Sequence, residues 1–132
     1  MIALDTNVVV RLIVNDDAAQ ARRARALLAA GHDVRIPVTV LLEAEWVLRS
    51  AYCYPAAQVM SFLRGLLGLP GVSTDNAPAV AAAIAACERG LDFADALHLA
   101  LSGDAERFYT FDATLRRRAP RAMPGVQVSA PG

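Results

Sequence analysis

The stretch MIALDTNVVVRLI, residues 1–13, changes its periodicity partway along, and that change sets the fold class. Ile2 to Leu4 is an apolar run of strand length, Val8 to Val14 suits a short helix, and Asp5, Thr6 and Asn7 lie between them. A strand that passes through small polar residues into a helix begins a βα unit. RFYTFDATLRRR at 107–118 repeats the arrangement: Arg107 to Thr110 reads as a strand, Asp112 follows, and Ala113 to Arg118 reads as one or two helical turns.

The intervening sequence alternates in the same way. Asp16 can cap a helix reaching about Ala30, with Gly31 as its stop. Val34 to Pro37 reads as a strand, and Thr39 can cap a helix over Val40 to Ala51. Pro55 can start a helix over Ala56 to Leu67, which Gly68 to Gly71 break before a minimal strand at Val72. Asp75 or Asn76, followed by Pro78, opens an alanine-rich helix to Glu88; Asp92 can cap Phe93 to Ser102; Val126 to Val128 is a last edge strand. The pattern predicts an α/β fold with a mainly parallel sheet, in one domain spanning residues 1–132.

Composition removes several function classes. All 13 basic residues are arginine, so a Walker P-loop lysine, a Schiff-base lysine and pyridoxal chemistry are excluded. The chain has neither G-x-S-x-G nor G-x-G-x-x-G, and Cys53 and Cys87 have no metal-ligand spacing. Two buried thiols in a reducing compartment are the expectation for those cysteines. The net charge of zero argues against a globally basic nucleic-acid binder but leaves room for a local basic groove. Although 55% of the residues are hydrophobic, no run approaches the roughly 20 apolar residues of a membrane span, and no leader pattern opens the chain. No membrane association and a cytoplasmic location are expected.

What remains is a set of acids. Asp5 and Asp112 each follow a strand, and in open parallel sheets ligands bind beyond the carboxyl ends of strands. Each is also placed to cap the helix after it, so both readings stand. In TVLLEAEWVLR, Val40, Leu41, Ala44, Val47, Leu48 and Ala51 form one apolar stripe with Glu43 and Glu45 on opposite flanks; periodicity does not choose between the two glutamates. Leu42, Trp46 and Cys53 fall on the far face, which is either deeply buried or a partner surface. In LDFADALHLAL, Asp92 is a cap or a ligand, and Asp95, an ionisable group followed by apolar residues, is either a first-turn acid that complements the helix dipole or a ligand. Acids gathered without histidine or cysteine partners suit a hard cation such as magnesium or manganese, which serves phosphodiester hydrolysis.

The order LDTN, VLLEAEWVLR, DFADALHLA, YTFD resembles that of PIN domains, and most closely the VapC toxins of bacterial type II toxin–antitoxin modules. The resemblance covers essentially the whole chain. It implies a three-layer α/β/α sandwich with a central parallel sheet of four to five strands, and a ribonuclease dependent on one or two Mg2+ or Mn2+ ions. Carried over by position, it implies Asp5, Glu43, Asp95 and Asp112 as catalytic metal ligands, choosing Glu43 over Glu45. Thr6, Asn7, Asp92 and Thr110 would be supporting residues. Arg11, Arg49, Arg116, Arg117 and Arg118 are candidates for contacts to an RNA backbone. The family further implies a homodimer and a cognate VapB-like antitoxin, for which Leu42, Trp46 and Cys53 are candidate docking residues. A PIN nuclease of RNA processing and a non-catalytic PIN-like binding module are the alternatives.

Overall fold

The computed structural model describes residues 1–132, in two compact units, Met1–Ala77 and Pro78–Gly132. In the first unit, strands β1 (Ile2–Ala3), β2 (Val34–Arg35) and β3 (Val72–Ser73) form a parallel sheet in the order β1-β2-β3, with Ile2 opposite Val34 and Val34 opposite Val72. Helices α1 (Thr6–Ile13) and α2 (Ala18–Ala29) connect β1 to β2; α3 (Val38–Ser50) and α4 (Ala56–Leu67) connect β2 to β3. Parallel neighbours need such crossovers, because a tight turn cannot return the chain to the same end of the sheet. Leu4, Val9, Val10, Ile36, Leu41, Leu48, Met60 and Leu63 are buried in this unit, and α1 packs against both α2 and α3.

The second unit holds α5 (Ala77–Glu88, from the unit boundary), α6 (Phe93–Leu101), β4 (Phe108–Tyr109), α7 (Ala113–Ala122) and β5 (Val128–Ser129). Strands β4 and β5 pair in parallel, with Phe108 opposite Val128, and α7 packs against β5. Val80, Ile84, Phe93, Leu97, Leu99 and Leu115 are buried here. The α/β alternation and the parallel pairing agree with the sequence reading, and the five strands hydrogen-bond as sets of three and two.

Several local expectations are corrected. Helix α2 is capped by Asp17, which accepts from Gln20 N at 3.0 Å, while Asp16 turns to Arg11 and Tyr52. Helix α3 starts one residue before Thr39 and has no cap from its own N-terminal residue Pro37. Asp75 supplies the missing acceptor from 37 positions away, taking the Val38 N–H at 2.8 Å. Helix α7 runs on past Arg118 and takes in Pro120, which removes one backbone bond without ending the helix. Helix α3 stops at Ser50, so Cys53 does not lie on its outer face; it is exposed in the following turn with φ of 59°. Only Cys87 is buried.

Candidate functional site

Strand β1 delivers Asp5 to the N-cap of α1, where its carboxylate accepts from Thr6 N at 2.8 Å. Because α1 packs on α3, the buried Thr6 side chain reaches across, and its hydroxyl donates to Glu43 Oε1. One residue therefore holds two carboxylates: its backbone N–H serves Asp5 and its side chain serves Glu43. Both carboxylates belong to exposed residues, and Asn7, also exposed, follows directly. The capping and catalytic readings of Asp5 are compatible, since capping occupies one oxygen and leaves the other.

The two glutamates of α3 separate cleanly. Glu45 is 1% exposed and is paired with Arg49 one turn later, which donates to both of its oxygens. Burying a carboxylate requires such compensation, so Glu45 has a structural role. Glu43 is the one that faces solvent.

In the second unit, Asp92 caps α6 by accepting from Asp95 N at 3.2 Å. Asp112 caps α7 by accepting from Leu115 N at 3.1 Å, and its own N–H donates to Thr110 Oγ1 at 3.0 Å. Thr110 thus holds the backbone of Asp112. The Asp95 carboxyl titrates above the ordinary aspartate value, first because it is partly buried and then because Asp92 and Asp112 add negative charge around it; His98 works weakly the other way. Three acids of this unit are thus electrostatically coupled with Asp95 at their centre. His98 is an exposed residue of α6.

The donor chemistry fits a hard divalent cation: carboxylate oxygens without nitrogen or sulfur ligands, and a carboxyl whose charged form is disfavoured by partial burial and then by like charge. Neither unit by itself gathers three or more acid, histidine or cysteine side chains closely enough to hold a metal ion.

The arginines divide by their partners. Arg11 is tied down, its guanidinium donating to Asp16 (3.0 Å), Gln20 (2.8 Å) and Tyr52 (3.1 Å). The hydrogen bond with Tyr52, followed by the charge of Asp16, raises its pKa. Arg49 is committed to Glu45, and Arg116 donates to Thr110 O at 3.0 Å. Arg117 and Arg118 are exposed. Spacing alone could not separate these groups, because the partners of Arg11 come from three different segments. On the outer side of α3, Trp46 is 60% exposed and Leu42 is half-buried, so that face is open to solvent rather than deeply buried.

No helix is long and apolar enough to cross a membrane. A search of the curated proteins returns no match to this chain. The sequence model of the PIN domain matches residues 2–120, and so runs through Asp5, Glu43, Asp95 and Asp112. The PIN fold is a three-layer α/β/α sandwich of the nuclease type, with which the parallel α/β organisation of both units agrees. With nine-tenths of its length covered by that match, the chain belongs to the PIN domain family.

Proposed function

We propose that this protein is an endoribonuclease dependent on Mg2+ or Mn2+, acting as the toxin of a type II toxin–antitoxin module in the cytoplasm. PIN domains are generally nucleases and typically bind divalent ions, which supports the coarser part of the reading. The observation that carries it is the pairing of presented acids with dedicated supports: Thr6 holding Asp5 and Glu43, and Thr110 holding the backbone of Asp112, in a chain whose family match includes all four acids.

In this reading residues 1–132 act as one PIN-like domain, and Asp5, Glu43, Asp95 and Asp112 together hold one or two ions. A bound ion there neutralises the acids and the phosphoryl oxygens and makes water more acidic. Thr6 keeps the Glu43 carboxylate oriented, and the capping bonds of Asp5 and Asp112 each fix one oxygen while leaving the other to face ligand. Asp95, raised in pKa by burial and its neighbours, ionises more readily once positive charge is supplied. Hydrolysis adds water across one P–O bond of the strand, leaving one new phosphate end and one new hydroxyl end. Arg117 and Arg118 are the best-placed of the candidate backbone contacts, since they are exposed, whereas Arg116 is half-buried and Arg11 and Arg49 pair with carboxylates.

The exposed Trp46, with Leu42 beside it on α3, is the proposed docking point for the antitoxin or a second copy of the chain. Expression in a bacterial host tests the toxin role. Growth arrest that Asp95→Asn relieves, and that a co-expressed antitoxin suppresses, is the expected result; unimpaired growth, or arrest equally strong with the variant, refutes it.

A further inference from the structure

The second unit contains a cavity of about 460 Å3 lined by Arg89, Gly90, Arg117, Arg118 and Arg121. Arg89 directly follows α5, and the other three arginines belong to α7. Two of the four are braced by carbonyls of the opposite segment: Arg89 Nη1 donates to Ala122 O at 3.2 Å, and Arg118 Nη1 donates to Gly90 O at 3.3 Å. None of the four is paired with a carboxylate. Four like charges around one concavity repel each other, and an anion seated among them removes that cost while gaining charge-assisted hydrogen bonds. A freely solvated arginine face would carry neither the bracing nor the concave shape.

The lining also narrows the anion. It includes no aromatic ring and no carboxamide, the groups that stack on or read nucleobases. Arginine guanidinium groups match phosphate geometry with paired donors. Along α7, Arg117 and Arg121 lie about 7 and 13 Å further than Asp112 at the rise of an α-helix. The Arg121 end of the cavity is therefore more than two helical turns from Asp112.

We propose that the cavity formed by Arg89, Arg117, Arg118 and Arg121 seats a backbone phosphate of single-stranded RNA away from the bond being cut. It holds the strand by charge and geometry without reading base identity. This deepens the nuclease reading and rests on it for the identity of the strand. Arg89 and Arg121 enter as binding residues on the geometry of the cavity, and Arg116, held by Thr110, stands outside it.

The test is fluorescence anisotropy of labelled single-stranded oligoribonucleotides of several sequences, with chelator present so that no cleavage occurs, over a salt series. The Arg89→Ala/Arg121→Ala double variant, shown folded by circular dichroism, should bind roughly tenfold more weakly, with a salt slope lower by about 0.7 for each phosphate no longer neutralised by arginine. The weakening should be equal across sequences, and Arg89→Lys/Arg121→Lys should keep most of the affinity. Unchanged affinity and slope, or a weakening confined to one sequence, overturns the proposal. Inorganic pyrophosphate is the second probe: if it stabilises the wild type to heat and not the double variant, while RNA binding is equal in both, the cavity serves small phosphorylated ligands and the RNA assignment is wrong. Wild-type cleavage of RNA with unchanged binding by the variant would defeat the cavity proposal alone. Cavity-dependent RNA binding without cleavage at any divalent cation would defeat the nuclease reading alone.

Discussion

Thr6 and Glu43, 37 positions apart, are joined by a hydrogen bond from the threonine hydroxyl to the glutamate carboxylate. The Thr6 N–H meanwhile donates to Asp5. Thr6→Val keeps the shape and the backbone bond but loses the hydroxyl. It should cost about 1 kcal/mol of stability by urea unfolding and reduce RNA cleavage by roughly 10- to 100-fold, in the range seen for partners that orient metal ligands. Thr6→Ser should retain most of the activity. Full activity in Thr6→Val would show that the orientation of Glu43 is unimportant.

The neighbouring glutamates of α3 should respond in opposite ways. Arg49→Met strands the Glu45 carboxylate, whose side chain is 2% exposed, and should destabilise the fold by about 2–3 kcal/mol. The cost falls below the roughly 3–5 kcal/mol of a fully buried pair because the Arg49 side chain is 36% exposed and partly screened. Glu43→Gln, at an exposed position, should change stability by no more than about 0.5 kcal/mol while abolishing cleavage. Denaturant midpoints and cleavage rates measured on both variants check the division; a destabilised but active Glu43→Gln would reverse the roles.

That division marks how far the sequence could be read. Strand-end aspartates, caps at Asp5, Asp92 and Asp112, and the bounds of α4 were legible because they depend on neighbours within one or two turns. Periodicity did not choose Glu43 over Glu45, since both flank the same stripe; the family resemblance pointed to Glu43, and its contact with Thr6 comes from another helix. The cap of α3 by Asp75 and the tethering of Arg11 by Tyr52 escaped for the same reason. The run Arg116 to Arg118 was legible as basic, but nothing singled out Arg121, and the approach of Arg117, Arg118 and Arg121 to Arg89 is a tertiary event.

Asp75 gives the fold a sensitivity to acid. The Val38 N–H is the main cause holding its carboxyl below the ordinary value of 3.8, with its own N–H, Thr74 and Arg35 helping and partial burial opposing. A depressed folded-state pKa stabilises at pH above the unfolded value, and that contribution is lost as pH falls through the folded one. Asp75→Ala should therefore cost about 0.5–1 kcal/mol at neutral pH, as for loss of a helix cap. The difference from wild type should shrink as pH falls past 3.8 and disappear only once pH is below the depressed folded-state value. Urea unfolding at a series of pH values measures it, and a gap that persists in acid would mean that the charge of Asp75 is irrelevant.

Asp95 should be a burden on the fold until a cation arrives. Burial and the charges of Asp92 and Asp112 disfavour its ionised form, so Asp95→Asn should melt at a higher temperature than wild type in chelator. Millimolar Mg2+ or Mn2+ should raise the wild-type Tm and leave that of the variant nearly unmoved. Equal cation-induced shifts in the two proteins would remove Asp95 from the proposed ligand set.

Cleavage of a structured RNA by the purified protein, with Mg2+ or Mn2+, with chelator in their place, and with Asp5→Asn alongside wild type, is the most direct measurement. Cutting at internal positions that requires the cation, and that falls by about 100-fold or more in the folded variant, is the result expected of four acids holding a divalent ion. Cleavage undiminished by chelator, or equal in Asp5→Asn, would contradict it.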